Sequence, residues 1–257
     1  MSALHRQALL PILLVLILLM SGCGMGQRVR PTPTPTPSPT PTPAPTATPV
    51  PADSGVAAAA VATPQVTVPA NFQSVLDERL AYSLAVPRGW SELDLRSAQV
   101  QTIAGFLGLG EQLEPLNTFL DSPEGQAFGK IYVTDLTAAM FGGLPSLLNV
   151  SVLDAPGITA DAAATMVQDL IEQNISAIGN DVVVNGVDAT VINNLPAVEA
   201  SATANLAAIG MDGRVYGRVV ALLANDKVYV LTILVPEDQQ AAKAAELDQI
   251  IGTFRPE

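Results

Sequence analysis

Histidine and cysteine are almost missing from this 257-residue chain, which has one of each, His5 and Cys23. A single cysteine excludes an intrachain disulfide and any multi-thiolate metal site. Aromatic residues make up only 4% of the chain, and cations are few, with 12 Lys and Arg against 24 Asp and Glu. Asp53 is the only acid before residue 65, and Arg6, Arg28 and Arg30 are the only Lys or Arg there. Residues 65–257 therefore hold 23 acids against 9 cations, a net charge of −14. Such a surface repels nucleic acid and anionic headgroups, sets nucleic-acid binding aside, and suits cationic partners. No Gly-x-x-x-x-Gly-Lys-Ser/Thr loop occurs. The glycines at 105, 108 and 110 lack the lysine that a phosphate cradle uses, so they are read as a bend or a tight helix contact.

What is present begins with an export leader. His5 and Arg6 form a small basic region, residues 8–20 are apolar apart from Pro11, and the small residues Ser21 and Gly22 precede Cys23. That order of charge, apolar run and small residues is a signal peptide, not a spanning helix, which needs roughly 20 apolar residues. The segment Leu19-Met20-Ser21-Gly22-Cys23 resembles the lipobox of bacterial lipoproteins, with Met20 where the motif usually has leucine. The resemblance implies removal of residues 1–22, His5 included, and a diacylglyceryl group on Cys23. Without His5 the mature chain can build neither a Ser-His-Asp nor a Cys-His centre. Its address would be the extracytoplasmic face of the cell membrane, through a lipid (palmitate-type) anchor. Two acyl chains, at about 0.8 kcal/mol per buried methylene, hold stably where one does not. A conventional secretory signal cut elsewhere and an uncleaved anchor are the competing readings.

Behind a short lipidated N-terminus, residues 23–30, comes a linker over residues 31–64. Residues 31–51 nearly alternate Pro and Thr, and residues 52–64 are alanine-rich. Proline fixes φ and lacks an amide hydrogen, so the Pro/Thr segment can enter neither a helix interior nor a sheet ladder. As a polyproline-type strut, at about 3.1 Å per residue, it would reach roughly 65 Å. Its threonines are also candidate acceptors for O-linked sugars.

Residues 65–257 suffice for one globular domain, with strands and helices interspersed. Residues 72–76 and 80–86 are expected strands around Asp77-Glu78-Arg79. Leu80, Tyr82, Leu84 and Val86 share one parity, the mark of a half-buried strand. Helical spacing is expected over 97–109 and 111–120, and strands over 130–136 and 147–153. Thr159 and Asp161 open a long amphipathic helix whose face runs through Ala163, Met166, Val167, Leu170, Ile171, Asn174 and Ile178. Asn185-Gly186 reads as a tight hairpin turn. A meander follows, with turns at Asp212-Gly213 and Asn225-Asp226, and Pro236-Glu237-Asp238 starts a last helix with a stripe at Ala241, Ala244, Leu247 and Ile251. The sum is an α+β domain: an antiparallel sheet of six to seven strands with helices packed on its faces.

The opening strand followed by Pro87-Arg88-Gly89-Trp90 resembles the entry of the PsbP-like superfamily. The meander running into Ile250-Ile251-Gly252-Thr253-Phe254-Arg255 is similar to its close. That superfamily includes an extrinsic protein of the photosynthetic oxygen-evolving complex and many bacterial lipoproteins. The resemblance implies an α/β/α sandwich serving as an accessory or binding module, with no cofactor. Metal roles in some relatives rely on histidine, and this domain has none, so no metal site carries over. Trp90 is expected to plug the core.

Two functions of different class are left. One is a membrane-anchored, non-enzymatic module for a protein or small-ligand partner, using the sheet, its edges or the glycine-rich loop over 138–145. The other is a carboxylate-dependent extracytoplasmic hydrolase, which needs an acid in an apolar pocket. Its candidate pairs, Glu111 with Glu114 and Asp169 with Glu172, have helical spacing that also fits a solvated face. Asp121-Ser122-Pro123-Glu124-Gly125 lacks the ligand spacing of a calcium loop and is expected to be a turn.

Overall fold

A computed structural model describes residues 67–98, 117–118, 120–134, 144–178, 181–209 and 213–257. The strands in chain order are β1 (Phe72–Asp77), β2 (Tyr82–Pro87), β3 (Trp90–Leu93), β4 (Phe128–Thr134), β5 (Leu147–Asp154), β6 (Val183–Ile192), β7 (Leu195–Asn205), β8 (Arg214–Ala224), β9 (Lys227–Pro236) and β10 (Arg255–Pro256). The helices are α1 (Pro123–Gln126), α2 (Ala160–Ile178) and α3 (Gln240–Gly252), the last entered through a 3₁₀ turn at Glu237–Gln239. One sheet has seven strands in the order β3-β4-β5-β9-β8-β7-β6, and a smaller one has the order β1-β2-β10. Every pairing is antiparallel. The domain is α+β, as its alternating patterns require.

Side-chain parity explains the layers. On β8 and β9, Val219, Ala221, Val228 and Val230 face α2, where Ala163, Val167 and Ile171 are buried against them. Val220, Leu222, Tyr229, Leu231, Ile233 and Val235 point the other way, onto the small sheet and α3. β9 is central and covered on both faces, which is why it is the most hydrophobic strand. The second face is thus roofed by a sheet together with a helix, and α3 buries Leu247, Ile250 and Ile251. Ala241 and Ala244, expected in the buried stripe, are exposed because α3 leans on the core only through its C-terminal half.

Thr159 caps α2 as expected, its Oγ1 accepting the Ala162 amide at 3.3 Å. β2 is buried on both faces, not half-buried, since Ala85 and Pro87 join Leu84 and Val86 inside. β10 pairs with β2 only at Tyr82 and Ser83. Farther along, Thr253 Oγ1 accepts the Ala85 amide at 2.8 Å and donates to the Ile250 carbonyl at 2.7 Å. One buried hydroxyl therefore satisfies a strand amide that has no ladder partner and joins α3 to the small sheet.

The turn expected at Asn185-Gly186 is a correction. β6 runs straight through it, and the extra residue is absorbed as a bulge between Asn185 and Val187. Gly186 takes φ +67°, which a bulge can use as readily as a turn. The hairpin instead lies at Asn193-Asn194, where both residues adopt left-handed φ, 54° and 64°. Asn225-Asp226, at 54° and 58°, repeats that geometry between β8 and β9, as expected. The helices expected over 97–109 and most of 111–120 lie outside the described residues.

Candidate functional site

The candidate site is a cleft of about 520 Å³ between the β1–β2 turn, residues 94–96 and the start of β4. Its apolar lining comes from Leu76, Leu95 and Phe128; Arg79, Arg96 and Lys130 bring cations, and Asp77, Glu78 and Asp94 bring acids. A bulge shapes its floor. The β4–β5 register shifts between Phe128 and Ile131, so both side chains fall into one cluster with Leu95, Leu120 and Val133. Gly129 and Lys130 leave carbonyls near the irregularity, and the buried Asn149 donates to both at 3.4 Å while accepting from Ser151 Oγ at 3.0 Å.

Four charged groups of this cleft, Arg79, Arg96, Asp77 and Asp94, work on the backbone around them. Arg79 donates to the carbonyls of Gln126 and, at 2.6 Å, Phe128, lashing the β1–β2 turn to β4. Arg96 donates to the carbonyls of Leu120 at 3.1 Å and Gly125 at 2.6 Å. Burial first, and then the neighbouring Arg79 charge, push the Arg96 guanidinium down from its ordinary value. Asp77 Oδ1 accepts the amides of Arg79 and Leu80, both at 3.1 Å, and Asp94 Oδ1 accepts the Arg96 amide at 2.9 Å. Lys130 Nζ stands 3.0 Å from Glu92 Oε1. A glycine is required in the floor: a Cβ at Gly129 would run into the Val150 carbonyl and come within 2.9 Å of the Tyr82 hydroxyl. The Tyr82 and Tyr132 hydroxyls stand together without the geometry of a full hydrogen bond. Burial holds both phenols well above the ordinary tyrosine range, so they stay neutral.

Trp90 is a core plug, 3% exposed, and its Nε1 donates to Glu246 Oε1 at 3.3 Å. Asp169 and Glu172 lie on the exposed face of α2, where Glu172 accepts from Gln168 at 2.9 Å. The turn expected over 121–125 is a correction: Pro123–Gln126 form the single-turn helix α1, and Ser122 Oγ, just before it, accepts the Gly125 amide at 3.1 Å, as a hydroxyl at a helix start does. Among the described residues no three potential ligands converge as a metal site, and no helix is long and apolar enough to cross a membrane. Cys23, the leader, the linker, Glu111, Glu114 and residues 138–143 of the glycine-rich loop all lie outside the described residues. Sequence reasoning missed Arg79 and Arg96 as cleft residues. Their partners are main-chain carbonyls, which carry no mark in a sequence.

Neither a protein-family model nor a curated protein matches this sequence. Solved structures do. The cyanobacterial PsbP (CyanoP) of Synechocystis sp. PCC 6803 is 13% identical at a TM-score of 0.48, over 74% of this chain and 94% of that one. The Ran-binding protein Mog1p of Saccharomyces cerevisiae is 16% identical at 0.42, over 72% and 95%. LpqN, involved in cell envelope biogenesis in Mycobacterium tuberculosis, is 14% identical at 0.37, over 67% and 81%. The likeness is one of fold.

Proposed function

We propose that the mature protein is a lipid-anchored, extracytoplasmic accessory module that binds a partner and does not transform a substrate. The observation that carries the binding reading is the chemistry of the cleft. Its two arginines and the turn acids Asp77 and Asp94 are bound to the fold's own backbone and Lys130 is paired with Glu92, which leaves a half-apolar recognition surface. Guanidinium groups remain protonated, so they offer no acid–base chemistry. Asp77, the one buried carboxylate among the described residues, caps a turn. In an assay against p-nitrophenyl acetate, phosphate and glucoside, the protein is expected to show no turnover above buffer. Turnover that vanished in Asp77→Asn at unchanged Tm would favour the hydrolase instead.

The anchor reading rests on the leader, Cys23 and the Pro/Thr strut. Wild type expressed in a bacterium is expected to incorporate radiolabelled palmitate and to sediment with membranes, and Cys23→Ala to do neither. Unlabelled wild type recovered from the medium would overturn it.

A further inference from the structure

Between Lys130 and Arg214 the chain has no lysine, arginine or histidine but nine acids. That stretch builds α2, β6 and β7, so one end of the large sheet is anionic with no cation of its own. β6 is the terminal strand there. Its inner edge pairs with β7, and among the described residues nothing pairs with its outer edge. Edge strands are usually protected from further pairing by charged side chains, above all lysine, by proline, by bulges or by being short. β6 has 10 residues, no lysine and no proline, and only the bulge at Gly186 interrupts it. It also shows Val183, Val184 and Val191 to solvent, at 51%, 37% and 68% exposure.

The charge pattern across the strands is unfinished. Asp188 on β6 stands in register with Glu199 on β7, a like-charge pair that repels. Arg218 on β8 takes Glu199 at 2.6 Å. Arg218, whose register partner on β7 is Ser201, reaches diagonally to Glu199 and also holds Asp248 of α3, whereas at the open edge no described cation pairs with Asp188 and the pattern stays incomplete. A cation opposite Asp188 on an added strand would complete it.

We infer that the outer edge of β6 is a docking strand for an extended, cationic segment of a partner protein, in which Lys or Arg alternates with apolar residues. Main-chain hydrogen bonds supply the affinity of such strand addition, and alternate side chains supply its register. A second copy of this chain suits the edge less well. It would bring Asp181 and Asp188 of both copies along one seam, in domains that each carry a net charge of −14. The inference rests on the binding-module reading but not on the anchor, and the edge of β6 it concerns is not part of the cleft.

The test uses the full chain in dodecyl-maltoside micelles and a fluorescein-labelled ten-residue peptide of alternating Lys and Val. Anisotropy is expected to show saturable binding, and hydrogen exchange to slow over residues 183–192. Asp188→Lys is expected to weaken binding at least tenfold. Asp238→Lys, the same charge change on an exposed residue before α3, is expected to stay within twofold. Should Asp188→Lys fail to fold, Asp188→Asn against Asp238→Asn carries the comparison, with a threefold loss expected for the first alone. Equal losses in both variants would mean diffuse electrostatics and would overturn the inference, as would unsaturable binding. Slow exchange of 183–192 in the free chain would also overturn it, with sedimentation telling a self-paired dimer from a covered edge. Palmitate labelling is read separately, so failure of the peptide leaves the anchored module standing.

Discussion

Replacing Phe254 by alanine is expected to cost about 3–5 kcal/mol, the range for removing a fully buried phenylalanine. Its ring is 0% exposed and lies between Tyr82, at a centroid distance of 6.0 Å, and Tyr229, at 5.3 Å. Those partners belong to different sheets. Tyr82 is on β2 and Tyr229 on β9, so the ring is a contact between the two layers. Adjacent Thr253 fixes its position through the Ala85 amide, and the Phe254 amide itself donates to the Ile251 carbonyl at 3.1 Å. A cavity at this junction cannot close by moving one side chain. In a domain of this size the loss should lower Tm by roughly 10 °C. Phe254→Leu, which keeps most of the volume, should cost less than about 1.5 kcal/mol. Denaturant unfolding of the two variants checks the pair. Equal, small losses would mean that the two layers do not depend on this ring.

Gly129→Ala should also destabilise strongly, by about 3 kcal/mol, although it adds only one methyl group. The usual cost of adding volume is limited because a flexible side chain can retreat. Here the obstacle is the main-chain carbonyl of Val150 on β5, with the Tyr82 hydroxyl at 2.9 Å and Leu80 Cδ1 at 3.2 Å behind it. Strands β4 and β5 would have to part at the bulge, losing the Asn149 hydrogen bonds that satisfy its carbonyls. Gly89→Ala is the control, since a Cβ there meets nothing within 4 Å. Urea midpoints would decide: a Gly129→Ala midpoint equal to that of Gly89→Ala would mean that the β4–β5 bulge is looser than the structure has it.

Local signals were legible where one physical cause acts alone. Thr159 caps α2 because a hydroxyl before a helix meets free amides, whatever the tertiary context. Asn225-Asp226 turns a hairpin because two adjacent residues that tolerate positive φ link two strongly alternating strands. Asn185-Gly186 carries the same signal and was misread, because a glycine at positive φ serves a bulge as well as a turn. The choice between the two was made by pairing with β7, whose alternation continues past that point. The α3 stripe failed for a related reason: helical spacing gives a face but not how much of its length meets the core.

The cleft was less legible still. Arg79 and Arg96 are ordinary charged residues in the sequence, and what makes them lining groups is a set of carbonyls nearly 50 and up to 29 positions away. The exposed valines of β6 look, in sequence, like those of any buried strand. Only the strand order shows that no described strand lies beyond them.

The sequence by itself carries the proposal of an anchor at Cys23, and it determined the Pro/Thr composition of residues 31–51, the acidic balance and lack of histidine of residues 65–257, and the α+β class. Each of these follows from composition or from periods of two and 3.6 residues, which are properties of neighbouring positions. The tertiary structure alone decided that a small sheet roofs the second face, that two arginines frame a cleft, that Asp188 faces Glu199, and that β6 ends the large sheet. Those facts depend on which distant segments pair, and pairing is settled by the whole set of strands competing for partners.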